Sequence, residues 1–401
     1  MVNFRRTFGA LLLCSLLACL KPAGVRYPSL PTHGDGALHI INFDVGQGDA
    51  LLVLYKGKSL LFDCGSPNND PRRASQRIPR RLDALLGSRH IDYFVISHYH
   101  QDHLGSPGRQ RNKRVPSGIY SLLERDGVTV GTVLDRGFWT ADKRKGGTQK
   151  HYERAIQKWL ARGVVSQRRQ VRPGERIDLG EGLDIEVIAA SANGVLDKMA
   201  ALFPTFVGDS PPSENDYSVG LKFTFGDFEM FAAGDLSGAN AVRRFGPVSQ
   251  SYSDIESHIA KRVGAVEVYR VNHHGSRHSS NPCFAQVLHP DVSVFSTGVN
   301  TYGHPAPEVY ERLREYGDVY ITGGVAKEHR AVMGASVVGD DVEILVAPQA
   351  DAYWLNGIAY RTRNDAEEAK RPKAREHCDA GEQRTPESYT LIDDSGSKPG
   401  D

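Results

Sequence analysis

Cysteine is scarce in this chain, and the scarcity narrows its chemistry. Of five cysteines in 401 residues, Cys14 and Cys19 fall within the first twenty, which leaves Cys64, Cys283 and Cys378 for the rest. Three thiols so widely spaced make neither a disulfide framework nor a thiolate zinc cluster. Cys64 and Cys283 are expected to be small buried residues, and any metal ion must be held by His, Asp and Glu. Excess charge is missing too: 49 Lys and Arg against 48 Asp and Glu leave a net +1, so bulk electrostatics single out no partner. After the first twenty residues no apolar run is long enough to cross a bilayer as a helix, and no internal repeat is visible.

The first residues differ from the rest. MVNFRRTFGALLLCSLLACLKP has a basic start at Arg5 and Arg6, an apolar run, and a small residue ahead of Cys19, the layout of a bacterial export signal. Leu16, Leu17, Ala18 and Cys19 resemble a lipobox, so residues 1–19 are expected to be a lipoprotein-type signal and Cys19 the acylated anchor. A plain cleaved signal and an uncleaved anchor are the alternatives. Arg5-Arg6-Thr7-Phe8 also loosely resembles a twin-arginine signal. Residues 20–36, rich in Pro and Gly, are expected to tether an exported protein to the membrane outside the cytoplasm. A single layered unit is expected over 37–348. Strand-like runs such as LHIINFDVG, ALLVLYKG and KSLLFDCGS open it, and Arg72 to Leu86 has helical spacing. Residues 106–173 are basic and irregular in pattern and are expected to be an insert. In SDIESHIAKRVG, Ser253 and Glu256 have the spacing of a capping box. Residues 349–401 are polar and expected to be a disordered tail.

Into this frame the chain sets groups that are hard to bury alone. VISHYHQDHLGS places His98, His100, Asp102 and His103 just after an apolar run; Asp63 ends LLFDCG, Asp235 follows FAAG, His273 and His274 follow VEVYRVN, and His304 sits in NTYGHPAP. Imidazoles and carboxylates so crowded need hydrogen bonds or a counter-charge, and a metal ion supplies the latter. Nitrogen and oxygen donors without thiolate suit Zn²⁺ or Mn²⁺. Each group comes where a strand gives way to a Gly-bearing turn, so strand ends that converge on one edge would bring them together.

His98-Tyr99-His100-Gln101-Asp102-His103 matches HxHxDH and resembles the metallo-β-lactamase superfamily. More narrowly, the chain is similar to the hydrolase domain of the ComEC/Rec2 competence proteins. DVGQGD (Asp44 to Asp49), the SHxHxDHxG run, Asn215-Asp216-Tyr217-Ser218, a GD after a strand, HHGS (His273 to Ser276) and Asn300 to Pro305 occur in the same order. The resemblance implies an α/β fold, the αββα sandwich, with two divalent ions. His98 and His100 would hold one; Asp102, His103 and one histidine of the HHGS run would hold the other, His273 being preferred over His274; Asp235 would bridge. Asp63 would orient a ligand, and His304 would contact substrate or donate a proton. Asp102 and Asp235 would carry the catalysis. Many superfamily members have a further histidine before the bridging aspartate; here only the Asn215 region stands in that place, with His151 and Glu214 as weaker stand-ins. Asp44 and Asp49 are expected to shape the hairpin. The implied activity is metal-dependent hydrolysis of a phosphodiester, with nucleic acid as a candidate substrate. Hydrolysis of another ester, lactone or β-lactam, or a non-catalytic lipid-tethered metal-binding module, are the alternatives. No protein partner is implied.

Overall fold

The structure, a computed structural model, describes residues 36–65, 73–108, 115–138, 146–191, 212–245, 248–363 and 390–392. The expected export signal, the anchor at Cys19 and nearly all of the tether lie outside them. The strands are, in chain order, β1 (Leu38–Asn42), β2 (Leu51–Tyr55), β3 (Lys58–Phe62), β4 (His90–Ile96), β5 (Thr129–Asp135), β6 (Val165–Gln170), β7 (Asp184–Ala189), β8 (Gly220–Phe225), β9 (Phe228–Ala233), β10 (Ala241–Phe245), β11 (Val248–Tyr252), β12 (Val268–Arg270), β13 (Val292–Phe295), β14 (Asp318–Ile321), β15 (Val342–Val346), β16 (Ala352–Leu355), β17 (Ile358–Arg361) and β18 (Thr390–Ile392). The principal helices are α1 (Arg73–Leu86), α2 (Gln101–Leu104), α3 (Ile119–Glu124), α4 (Gly147–Ala161), α5 (Ile255–Val263), α6 (Pro282–Leu288) and α7 (Pro307–Arg314).

A nine-stranded sheet of order β17-β16-β15-β1-β2-β3-β4-β5-β6 faces a six-stranded sheet of order β14-β13-β12-β9-β8-β7; β11-β10-β18 form a small third sheet. The side-chain period of two explains the layering. In β2, Leu51, Val53 and Tyr55 enter the core between the two large sheets, while Leu52 and Leu54 join the core under α1, α3 and α4. A separate apolar core, including Ile259, Phe284 and Val309, seats α5, α6 and α7 on the six-stranded sheet. The layers are therefore helix, sheet, sheet, helix, the αββα sandwich that the family resemblance implied.

Two boundaries differ from expectation. Residues 106–173 are not an insert: β5 and β6 extend the nine-stranded sheet in parallel with β4. Their basic character hid this, because two of the charges, Arg136 and Arg168, are paired with acids inside the fold. Arg136, fully buried, makes two hydrogen bonds to Glu214 at 2.7 and 2.8 Å, and Arg168 binds Asp135 at 2.8 Å. The sheet also runs past residue 348, since β16 and β17 pair antiparallel beyond β15. AYWL carries the signal there: Tyr353 and Leu355 enter the core between the sheets. Cys64 is buried, as expected, and free, but Cys283 is only half-buried and is disulfide-bonded. Among the described residues no helix is long and apolar enough to cross a membrane.

Candidate metal centre

The site forms where strands of both large sheets end. Asp63 follows β3, His98 follows β4, Asp235 follows β9, and His273 and His274 follow β12. β3 and β4 are parallel neighbours, as are β9, β12 and β13, so their C-terminal ends share one edge. A hydrogen bond from Val219 N to Ser97 O, 3.0 Å, stitches the two sheets together beside the site. Glycine makes the close approach possible: a Cβ on Gly65 would lie 1.7 Å from the Asp102 carbonyl oxygen.

Asp235 lies at the centre, 3% exposed, and its two oxygens face different groups. Oδ1 is 3.0 Å from His103 Nε2 and 3.6 Å from His274 Nε2; the latter is 3.4 Å from Asp102 Oδ2. Oδ2 is 3.9 Å from His98 Nε2 and 3.6 Å from His273 Nε2. Two donor sets result, Asp102 with His103, Asp235 and His274, and His98 with His100 and Asp235, each with ligand atoms within 4.8 Å of one another.

Surrounding hydrogen bonds aim the imidazoles inward. His103 Nδ1 donates to Asp63 Oδ2 at 3.0 Å, and Asp63 Oδ1 accepts from Ser97 N at 2.8 Å. His274 Nδ1 donates to the Ser296 carbonyl at 2.9 Å, and His98 Nδ1 is held by Ser97 Oγ at 3.0 Å and Ser218 Oγ at 3.3 Å. Such outer contacts fix ring orientation and tautomer. The inward atoms His103 Nε2, His274 Nε2 and Asp235 Oδ1 are buried without a hydrogen-bond partner. Buried polar atoms are ordinarily satisfied, so orphans converging on one point, with nitrogen and carboxylate chemistry, fit a divalent cation.

Electrostatics agree. Burial opposes a proton on His274, yet Asp235, Asp49 and Asp102 outweigh it and raise the pKa to about 9. His103 is pushed up in the same way, against its burial, chiefly by Asp235. Burial opposes ionisation of Asp235, but His103, His273 and His274 hold it well below the usual carboxylate range. The cluster thus draws positive charge into its middle. Burial, reinforced by His103, keeps His98 neutral, the form in which imidazole binds a metal.

Most of the expected residues meet here, with one reordering. His274, not His273, joins Asp102, His103 and Asp235, because both histidines take left-handed conformations (φ 50° and 52°) that turn the second one inward. His273 Nε2 lies instead against Asn215 Nδ2 at 3.2 Å and Asp235 Oδ2, on the side of His98. His274→Ala is therefore expected to weaken metal binding far more than His273→Ala, by about 100-fold or more, on the scale reached when even outer partners of a ligand are lost; calorimetric metal titration of the two variants checks this. His304 completes the wall: its ring stacks on His274 at 6.0 Å between centroids and meets His273 edge-on at 5.7 Å.

Neither stand-in ligand takes part. Glu214 binds Arg136 and accepts from Tyr99 N at 2.9 Å, and His151 is exposed on α4. Asp49, expected only to shape the hairpin, is fully buried behind two of the donor histidines, 3.6 Å from His103 Nδ1 and 3.7 Å from His274 Nδ1. One further residue escaped the sequence reading. Arg270, fully buried at the end of β12, is 3.3 Å from Asp49. Arg270 did carry a signal, as one of two charges, with Glu267, inside the strand-like run VEVYRV.

The fold and this edge of clustered donors define a metallo-β-lactamase-fold protein, and the superfamily profile, Metallo-beta-lactamase superfamily, matches residues 43–125. Within that class the chain resembles the ComEC/Rec2 competence proteins. It is 26% identical over 279 residues to the competence protein ComA of Neisseria gonorrhoeae, covering 69% of this chain and 29% of the relative. It is 23% identical over 303 residues to ComE operon protein 3 of Bacillus subtilis, covering 72% and 32%. The chain thus spans about a third of the length of these relatives. Among solved structures, the metallo-beta-lactamase fold protein YhfI from Bacillus subtilis aligns over 71% of this chain and 96% of its own, with 12% identity and a TM-score of 0.40.

Proposed function

We propose that this chain is a metal-dependent phosphodiester hydrolase with a dinuclear centre. The observation that carries the reading is the division of Asp235 between two donor sets, Oδ1 toward His103 and His274 and Oδ2 toward His98. His98 and His100 would hold one Zn²⁺ or Mn²⁺ ion and Asp102, His103 and His274 the other, with Asp235 shared and His273 beside the first. Divalent ions there supply Lewis acidity, sharpening the acidity of a water and offsetting charge on attacking and leaving oxygens. The protein's own groups do the positioning. Asp63 keeps the His103 ring proton on Nδ1, and Ser296 does the same for His274, so that both present Nε2. The Gln47 amide donates to His304 Nδ1 at 3.3 Å, leaving the ring proton on Nε2 to contact a substrate oxygen.

Similarity to competence proteins supports a nucleic-acid substrate. The basic segment lends little, because several of its charges, among them Arg136, Arg168 and Arg169, are engaged by Glu214, Asp135 and Glu175. We place the protein outside the cytoplasm, held to the membrane by lipid on Cys19; a disulfide at Cys283 suits an oxidising compartment. The expected result with bis-p-nitrophenyl phosphate is turnover that a chelator abolishes and added Mn²⁺ or Zn²⁺ restores. Metal uptake without turnover would overturn the phosphodiester assignment in favour of lactone, other ester or β-lactam hydrolysis.

A further inference from the structure

Glu256 is fully buried in the first turn of α5 and plays no part in capping it. Asp254 is the cap, accepting from Ser257 N at 3.0 Å, so the pairing of Ser253 with Glu256 that the sequence suggested does not form. The Glu256 carboxylate is turned inward. Its Oε1 accepts from Asn272 Nδ2 at 2.8 Å and from Ser280 N at 2.7 Å, and its Oε2 accepts from Asn281 N at 2.8 Å. These donors stand at the two ends of one loop. Asn272 immediately precedes the histidine pair; Ser280 and Asn281 close the loop and begin α6.

The same carboxylate meets the loop that carries Asp235. Glu256 N donates to Ser237 O at 3.1 Å, and a Cβ on Gly238 would lie 2.0 Å from Glu256 Oε2. One side chain thus gathers the two loops that supply Asp235 and His274. The histidine loop needs such support, because residues with a Cβ hold left-handed conformations only where their surroundings impose them. Its other ties end on the same residues: Tyr269 OH accepts from Asn272 N at 3.0 Å and meets Ser280 Oγ at 2.9 Å, and Ser279 Oγ donates to Asn272 O at 2.9 Å.

We propose that Glu256 is a positioning residue for the metal centre. By fixing Asn272 it sets the left-handed turn that presents His274 Nε2 to Asp102 and Asp235. This rests on the metal-centre reading above, and its test reads metal affinity rather than turnover.

Three variants of the purified chain separate positioning from general support. Glu256→Gln places an amide donor where three N–H groups converge, leaving one unpaired. Asn272→Ala removes only the arm that reaches the histidines and keeps the proposal testable if the first variant does not fold. Leu288→Ala removes apolar packing at the far end of α6 and leaves the hydrogen bonds of Glu256, Asn272 and Asn281 in place. Mn²⁺ and Zn²⁺ are titrated calorimetrically into metal-stripped protein, and the melting of the stripped protein is followed in parallel. Glu256→Gln and Asn272→Ala are expected to weaken metal binding about 10- to 100-fold, as lost outer partners do, while Leu288→Ala lowers the melting temperature and leaves affinity unchanged. Unchanged affinity in the first two variants, with lower melting temperatures, overturns the positioning role alone. A wild-type protein that takes up no metal overturns both it and the metal-centre reading.

Discussion

Asp235→Asn is expected to abolish turnover while leaving a folded protein, and to impair metal binding at both donor sets at once. The fold should survive because Asp235 is tied to its surroundings through the backbone: its N–H donates to Ser218 Oγ at 3.0 Å, which the substitution does not touch. The centre should not survive. An amide offers one oxygen and one N–H₂ where the carboxylate turns oxygens toward both His103 and His98. One set would lose its anionic ligand and meet a donor instead. Loss of about 10³-fold or more in kcat follows if charge stabilisation is as dominant here as at other preorganised sites. The sharper measurement is metal stoichiometry. Asp102→Ala should empty only the set with His103 and His274, whereas Asp235→Asn should affect both. If Asp235→Asn keeps one tightly bound ion and loses only the other, the carboxylate is not shared and the dinuclear reading is wrong.

The donors of the centre were legible in the sequence because their residue types cannot be buried cheaply without a purpose. His98, His100, Asp102 and His103 crowd one strand end, and Asp235 and the histidine pair repeat the strand-then-glycine context. The layer order came from the resemblance carried by the HxHxDH run and its companion motifs; the structure accounts for it through the alternation in β2, whose two faces enter different cores. The choice between His273 and His274 was not legible, since adjacent residues point to different sides according to backbone conformation, and a left-handed pair reverses the simple expectation. The strand character of β6 was hidden for a related reason: SQRRQ lies at a sheet edge, and its charges pair with acids distant in sequence or nearby in space, as Arg168 does with Asp135. Glu256 fitted a familiar local motif, and only the tertiary fold shows that it serves the loops around it rather than its own helix.

Arg270→Met is expected to cause the largest loss of stability among the substitutions considered, about 3–5 kcal/mol, because it leaves a buried carboxylate without its cation. Arg270 is fully buried between the ends of β3, β9 and β12, 4.9 Å from the centre of the Phe62 ring, and it donates to the Ala233 carbonyl. Its charge partner Asp49 is also fully buried, and neither Asp49 oxygen has a hydrogen-bond partner in the described structure. Asp49 therefore depends on charge alone, from Arg270 on one side and from His103 and His274 on the other. A divalent cation held by the centre would lie beyond those histidines, and the order outward would then be cation, imidazole, carboxylate, guanidinium. Asp49→Asn with Arg270→Met should cost clearly less than the sum of the two single changes, because removing both charges leaves nothing unpaired. Urea denaturation of the four proteins in that cycle measures the coupling. Strict additivity would mean that Asp49 is compensated by the histidines without help from Arg270, and the guanidinium would then matter only for packing between the strand ends. A strong coupling would make Arg270 the counter-charge that allows a third aspartate, beside Asp63 and Asp235, to be buried within reach of the ligand histidines.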